Sequence, residues 1–253
     1  MLHPSKAAVT RELKRLARPA GQFDSSRYFR GDSDLGFYNV GTRPVRALAR
    51  EIAESNRARW TIGHAAAFAE SLITDRYLEM KAVGIEVMAR YRRSFTPRLL
   101  PVWKRWLARN HAANWATTDA ICGSLIGPLL VRYPELAEPV RGWSRDRNMW
   151  VRRASAVALI PSVRRGAALD IAYGVAHALH GDTEDLIQKA VGWLLREAGK
   201  SDAARLERYL RKNGPDMPRT TVRYAIERFP DARRRALLQA TRAPGAPRAP
   251  RAR

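Results

Sequence analysis

An all-α chain of stacked helical pairs is what the sequence predicts, and three observations predict it. Helical periodicity of apolar residues runs through almost all of the 253 residues, with no convincing stretch of strand alternation. The periodic runs are short, joined by short connectors, and carry no coiled-coil heptad. Trp115, Trp150 and Trp193 recur near helix starts or middles, 35 and 43 residues apart. Those intervals fit loosely the ~40–47 residues of a HEAT-type repeat, although no motif recurs letter for letter. A curved stack of antiparallel pairs offers a concave face wide enough for a duplex. An ordinary helical bundle is the competing architecture.

Taken in order, helices are expected over 5–17, 44–55, 59–70, 75–92, 97–109, 114–133, 135–144, 148–160, 166–179, 183–199, 201–212 and 218–229. Asn114, Asn148 and Asp182 each precede a periodic run as N-caps, because a short polar side chain there satisfies an orphan helix N–H. Pro134, Pro161 and Pro230 punctuate ends. The Gly/Asp/Ser-rich stretch 18–43 is the main irregular segment, with a short turn or helix at Tyr28-Phe29-Arg30. Its last residues feed the helix at 44: Gly41 permits a tight turn and Pro44 suits a first helical position. The division expected is one domain over 1–240 and a disordered Pro/Ala/Arg-rich tail over 241–253.

The formal charge is +22, from 46 Lys and Arg against 24 Asp and Glu. Discounting the four tail arginines leaves +18, so the excess belongs to the folded body. Such a body is read first as a phosphate binder, ahead of generic solubility or a ribosome- or membrane-surface partner. A single cysteine, Cys122, excludes an intrachain disulfide or a cysteine-based metal site. Five histidines without H-x-x-x-H spacing argue against zinc, so neither metal nor cofactor is expected. No apolar run reaches bilayer length and no signal-peptide h-region opens the chain. A soluble, cytoplasmic, monomeric protein without a membrane partner is the expectation.

Three constellations bear chemistry. Trp115 and Asp119 share a helix face one turn apart, continued by Cys122 and Ile126. A carboxylate at the edge of an apolar wall is out of place in so basic a chain unless it stabilises a positive charge arising on bound nucleic acid. It is equally able to pair with an arginine of the next repeat. In 183–199 the stripe Leu186, Ile187, Ala190, Val191, Leu194, Leu195 is core, while Lys189, Trp193 and Arg196 follow along its flank. A tryptophan between two cations suits pressing on a sugar or base while its neighbours hold phosphates; a boundary tryptophan with snorkelling neighbours is the plainer account. In 148–160, Trp150 reads as core, Arg153 as ion-pair partner or phosphate clamp, and Arg152 as solvated. Arg43 and Arg46, at the turn feeding the helix expected over 44–55, are candidate backbone contacts, with a simple helix start as the plainer account.

Four segments together resemble the AlkD-type family of bacterial DNA alkylation repair glycosylases: FYNVGTRPVR, NWATTD, NMWVRRASA and EDLIQKAVGWLLRE, spread over residues 37 to 200. The resemblance implies a curved solenoid of HEAT-like repeats with a concave basic face. Trp115, Asp119, Trp193 and Arg153 fall on the positions that shape the family's lesion cleft. It further implies hydrolytic removal of cationic alkylated bases such as 3-methyladenine and 7-methylguanine from double-stranded DNA, without metal or cofactor. Glycosylases in general extrude the base, whereas this family resembles an exception that holds the lesion against a Trp-lined cleft. A bacterial, nucleoid-associated setting is implied as well. The Val-Gly-Thr-Arg-Pro lead-in departs from the usual Tyr-Gly-Val-Arg-x-Pro, and the tail lies outside the resemblance.

The chemistry of the residues agrees. A cationic alkylpurine is already a good leaving group, so no acid need protonate it, and the oxocarbenium-like sugar left behind is what Asp119 would stabilise. Trp115 and Trp193 would enclose the deoxyribose, with Arg153, Lys189 and Arg196 on flanking phosphates. Lys189 as a Schiff-base nucleophile finds no desolvating surroundings, so a monofunctional enzyme is expected. The alternative is a non-catalytic helical-repeat protein that binds damaged or branched DNA. A protein-binding scaffold is a third reading, and the charge argues against it.

Overall fold

The computed structural model describes residues 5–19, 29 and 35–242. Among them every regular element is helical, and the only β pairing is an isolated bridge between Gly36 and Tyr77. The chain divides into two compact units, 1–133 and 134–253.

In the first unit, α1 (Lys6–Leu16), α2 (Thr42–Asn56) and α3 (Ile62–Ile73) pack against α4 (Leu78–Ala89). α4 is apolar nearly all round, with Met80, Val83, Ile85, Val87 and Met88 at or near zero exposure, which is the pattern of an interior helix. Its Gly84 faces α3, where a Cβ would sit 3.1 Å from the Ala69 carbonyl oxygen, so the two helices approach closely. α5 (Leu100–Ala108) follows a 3₁₀ turn at Pro97–Leu99. Next come α6 (Trp115–Ile121), a π-helical turn at Cys122–Ile126 and α7 (Gly127–Arg132). The continuous helix expected over 114–133 is therefore interrupted by i→i+5 hydrogen bonding, a local slip that side-chain periodicity does not encode.

Two buried charges tie this unit together. The Glu79 carboxylate accepts the backbone N–H groups of Tyr38 and Val40, each at 3.1 Å, and holds the extended segment before α2. Lys81 Nζ donates to Ile73 O at 2.8 Å and His111 O at 2.9 Å, linking the end of α3 to the turn that precedes α6.

The expected tight turn at Gly41 is absent. Gly41 is an extended N-cap, and the left-handed residue is Asn39, at φ 57°. α2 starts at Thr42, so Pro44 stands within the first turn, where its missing N–H is still harmless. Phe29 is described, whereas Tyr28 and Arg30, and the tail beyond Arg242, lie outside the described residues.

In the second unit the helix expected over 135–144 is a short α8 (Ala137–Arg141) between 3₁₀ turns at Pro134–Leu136 and Gly142–Arg145. α9 (Met149–Val157), α10 (Ile160–Val163), α11 (Leu169–Ala178), α13 (Ala203–Asn213) and α14 (Arg219–Ala225) all pack on α12 (Asp185–Ser201). Gly192 allows α14 to lie directly on α12: a Cβ there would sit 2.8 Å from the Thr221 carbonyl oxygen. α15 (Asp231–Ala240), which the sequence reading lacked, follows with Leu237 as its buried residue.

Asp182 does not cap α12, whose N-cap is Glu184; it accepts the Glu184 N–H at 3.0 Å and pairs with Arg152 at 2.7 Å. Arg152 is accordingly not solvated, for it also donates to the carbonyls of Asp146 and Arg147. Trp150, read as core, is half-buried in the first turn of α9, and the nearby buried indole is that of Trp143. Asn114 and Asn148 cap as expected, accepting from Thr117 N and Trp150 N, each at 2.8 Å.

Candidate active site

Trp115 is one of two large apolar residues among those described that stay exposed, at 38%. Its position follows from the turn before it. Asn110 takes a left-handed conformation, at φ 60°. Lys81 secures the His111 carbonyl, and Thr118 Oγ1 donates to Ala112 O at 2.8 Å. With Asn114 capping the helix, the indole is set at the first residue of α6 and Asp119 one turn later, half-buried. Cys122 and Ile126, which the sequence places on the same face, are fully buried.

Phe29 was missed as a site residue. Its ring lies against Trp115, with centroids 5.4 Å apart and planes 12° from parallel, and against Phe37 at 5.4 Å. The available signal was an aromatic inside a Gly/Asp/Ser-rich stretch, which has no periodicity to assign its side. Behind these rings lies a pocket of about 360 Å³ whose other walls are the first turns of α2 and one face of α4. Arg46 reaches Glu86 of α4 at 3.0 Å on its rim, and Arg43 is exposed in the same first turn of α2.

In the second unit, Trp193 is half-buried on α12. Lys189 pairs with Asp185 at 2.6 Å, and this hydrogen bond raises its pKa against a smaller opposing effect of burial. A lysine held in its charged form is a poor nucleophile. Arg196 is ion-paired with Glu227 and sits beside Glu197, so gripping a phosphate would mean exchanging those partners. Arg153 is buried, and its guanidinium donates to the Leu186 carbonyl in the first turn of α12.

Glu197 is the buried anion of this unit. Burial opposes its ionisation, but hydrogen bonds from Arg164 (2.9 Å) and Lys200 (2.6 Å) win and hold its pKa at about 2. A second unassigned group is His180, whose Nε2 lies 2.7 Å from Tyr209 Oη. Burial depresses its pKa to about 4, so the ring is neutral near pH 7. No group of three or more metal-ligating side chains is found among the described residues, and no helix there is long and apolar enough to cross a membrane.

The described residues form an all-helical scaffold with an exposed indole one helical turn from a half-buried carboxylate, in a chain of formal charge +22. A family model described as DNA alkylation repair enzyme matches residues 9–229. The chain belongs to that family, and a role in DNA repair follows from membership. A solved structure titled "Predicted DNA alkylation repair enzyme from Enterococcus faecalis" superposes with a TM-score of 0.73. It is 16% identical, and the match covers 85% of this chain and 97% of that one, so the likeness is one of fold. No curated protein matches the sequence.

Proposed function

We propose that the protein is a monofunctional DNA glycosylase that hydrolyses the N-glycosidic bond of cationic alkylated purines, such as 3-methyladenine and 7-methylguanine, in duplex DNA without base flipping. The observation that carries this reading is Asp119, half-buried one helical turn from the exposed Trp115.

The C1′–N bond breaks with its electron pair going to the base, which leaves as a neutral purine because it began as a cation. The sugar becomes oxocarbenium-like, and the charge of Asp119 stabilises it. Water then bonds to C1′, its proton passing to the carboxylate and on to solvent. Trp115 excludes bulk water from the deoxyribose, and Phe29 extends the aromatic wall by backing Trp115; Trp193 of the second unit is proposed as a further aromatic contact to the DNA. Arg153, Lys189, Arg196, Arg43 and Arg46 are proposed for phosphates, with Arg43 the most readily available, given its exposure in the first turn of α2. Lys189, charged and paired with Asp185, supports the absence of a lyase step.

The test is incubation of the full-length protein with methylated duplex DNA, with free bases and strand breaks measured separately. Release of 7-methylguanine with intact strands is expected. DNA binding without release would move the assignment to the non-catalytic binder.

A further inference from the structure

The pocket beside Trp115 is not needed for a reaction on a base that stays stacked in the duplex, yet it is well formed. Its volume of about 360 Å³ lies within the range of small-molecule sites, roughly 300–1,000 Å³. Phe29 and Trp115 supply an aromatic wall, Val45 and Ala82 apolar surfaces, and Glu79 and Glu86 the acidic ones. Among the described residues no lysine lines it, and Arg46 on its rim is held by Glu86 through one carboxylate oxygen. A phosphate would meet two carboxylates and little positive charge. The complement is a flat, neutral heterocycle that stacks on an aromatic face and donates hydrogen bonds.

The geometry points to a product site: the pocket receives the excised purine, with its exocyclic amine donating to Glu86. This rests on the glycosylase reading for the identity of the heterocycle. Both 3-methyladenine and 7-methylguanine carry such an amine, on N6 or N2. Once the glycosidic bond breaks, the base loses both its covalent tether and the charge that drew it toward Asp119. A neighbouring aromatic pocket offers it a place off the DNA, which hinders recapture by the sugar cation. Glu79 is committed to the Tyr38 and Val40 N–H groups, so it shapes the pocket floor, whereas Glu86 has acceptor capacity beyond its bond to Arg46.

Equilibrium dialysis of the full-length protein against free 7-methylguanine, without DNA, tests this. One saturable site per chain is expected. Ala82→Phe fills the pocket and should weaken binding about tenfold or more, since overpacking must be relieved before a ligand enters. Glu86→Gln should weaken it about tenfold through loss of a charge-assisted bond, and 7-methylhypoxanthine, which lacks the amine, should bind both proteins equally. Thermal melts establish that each variant is folded, and Glu86→Gln decides alone if Ala82→Phe is not. Absence of saturable binding to the wild type, or affinity unchanged in every folded variant, overturns the product site. Base release measured on the same preparations keeps the two readings apart: release without product binding defeats this inference alone, and variant-sensitive binding without release defeats the glycosylase reading and with it the product role, leaving a purine-binding pocket.

Discussion

Replacing Asp119 by Asn removes one negative charge while keeping the shape of a side chain set one turn below Trp115. For a carboxylate ~4 Å from a developing sugar cation, an effective dielectric near 20 gives about 4 kcal/mol. That corresponds to roughly three decades in rate. Asp119 is half-buried rather than fully exposed, which suits that dielectric. The ground state gains far less, since the lesion's charge is spread over the purine. Losing an anion from a protein of charge +22 should leave DNA affinity equal or slightly tighter. Single-turnover release of 7-methylguanine, with DNA binding titrated in parallel at fixed salt, reads both quantities. A fall of less than about tenfold, with binding intact, would refute electrostatic stabilisation by this side chain.

Other outcomes follow from the packing and from the buried charges. Gly192→Ala places a methyl group 2.8 Å from the Thr221 carbonyl and against Tyr224, and should cost about 1–3 kcal/mol, read as a lower melting temperature. Lys81→Met strands the carbonyls of Ile73 and His111; a loss of about 1–3 kcal/mol for each buried group left unsatisfied is expected, with faster amide exchange at the start of α6. Acid sensitivity should come in two windows. His180, lowered from 6.5 to about 4 chiefly by burial, costs stability as pH falls from 6.5 to 4, because only the unfolded chain takes up the proton. Glu197, lowered from 4.5 to about 2 against burial by Arg164 and Lys200, contributes stability above pH 4.5 that is lost on the way down to 2. Urea titrations across pH should therefore flatten in the upper window for His180→Gln and in the lower for Glu197→Gln.

The helical class and most elements were legible because burial on one side of a helix leaves a period in the sequence, as in α12. The Asn114 and Asn148 caps were legible for a different reason, since a capping side chain acts within three residues. What escaped was decided by distant contacts. Arg152 looked solvated because Asp182, its partner, is 30 residues away. Phe29 gained its place only by meeting Trp115, across 86 positions of chain. α15 begins with a charged run after Pro230 and buries little more than Leu237, so its apolar signal is thin. The π-helical turn beneath Asp119 is a choice between backbone partners, to which side-chain pattern is blind.

The grip of Glu79 on residues 38 and 40 is made on main-chain amides, the part of a residue common to all but proline. Mutation can therefore rewrite the letters of this lead-in while its path stays put, so long as spacing is kept and the acid on α4 remains. Such a clasp is tolerant of spelling and strict about length.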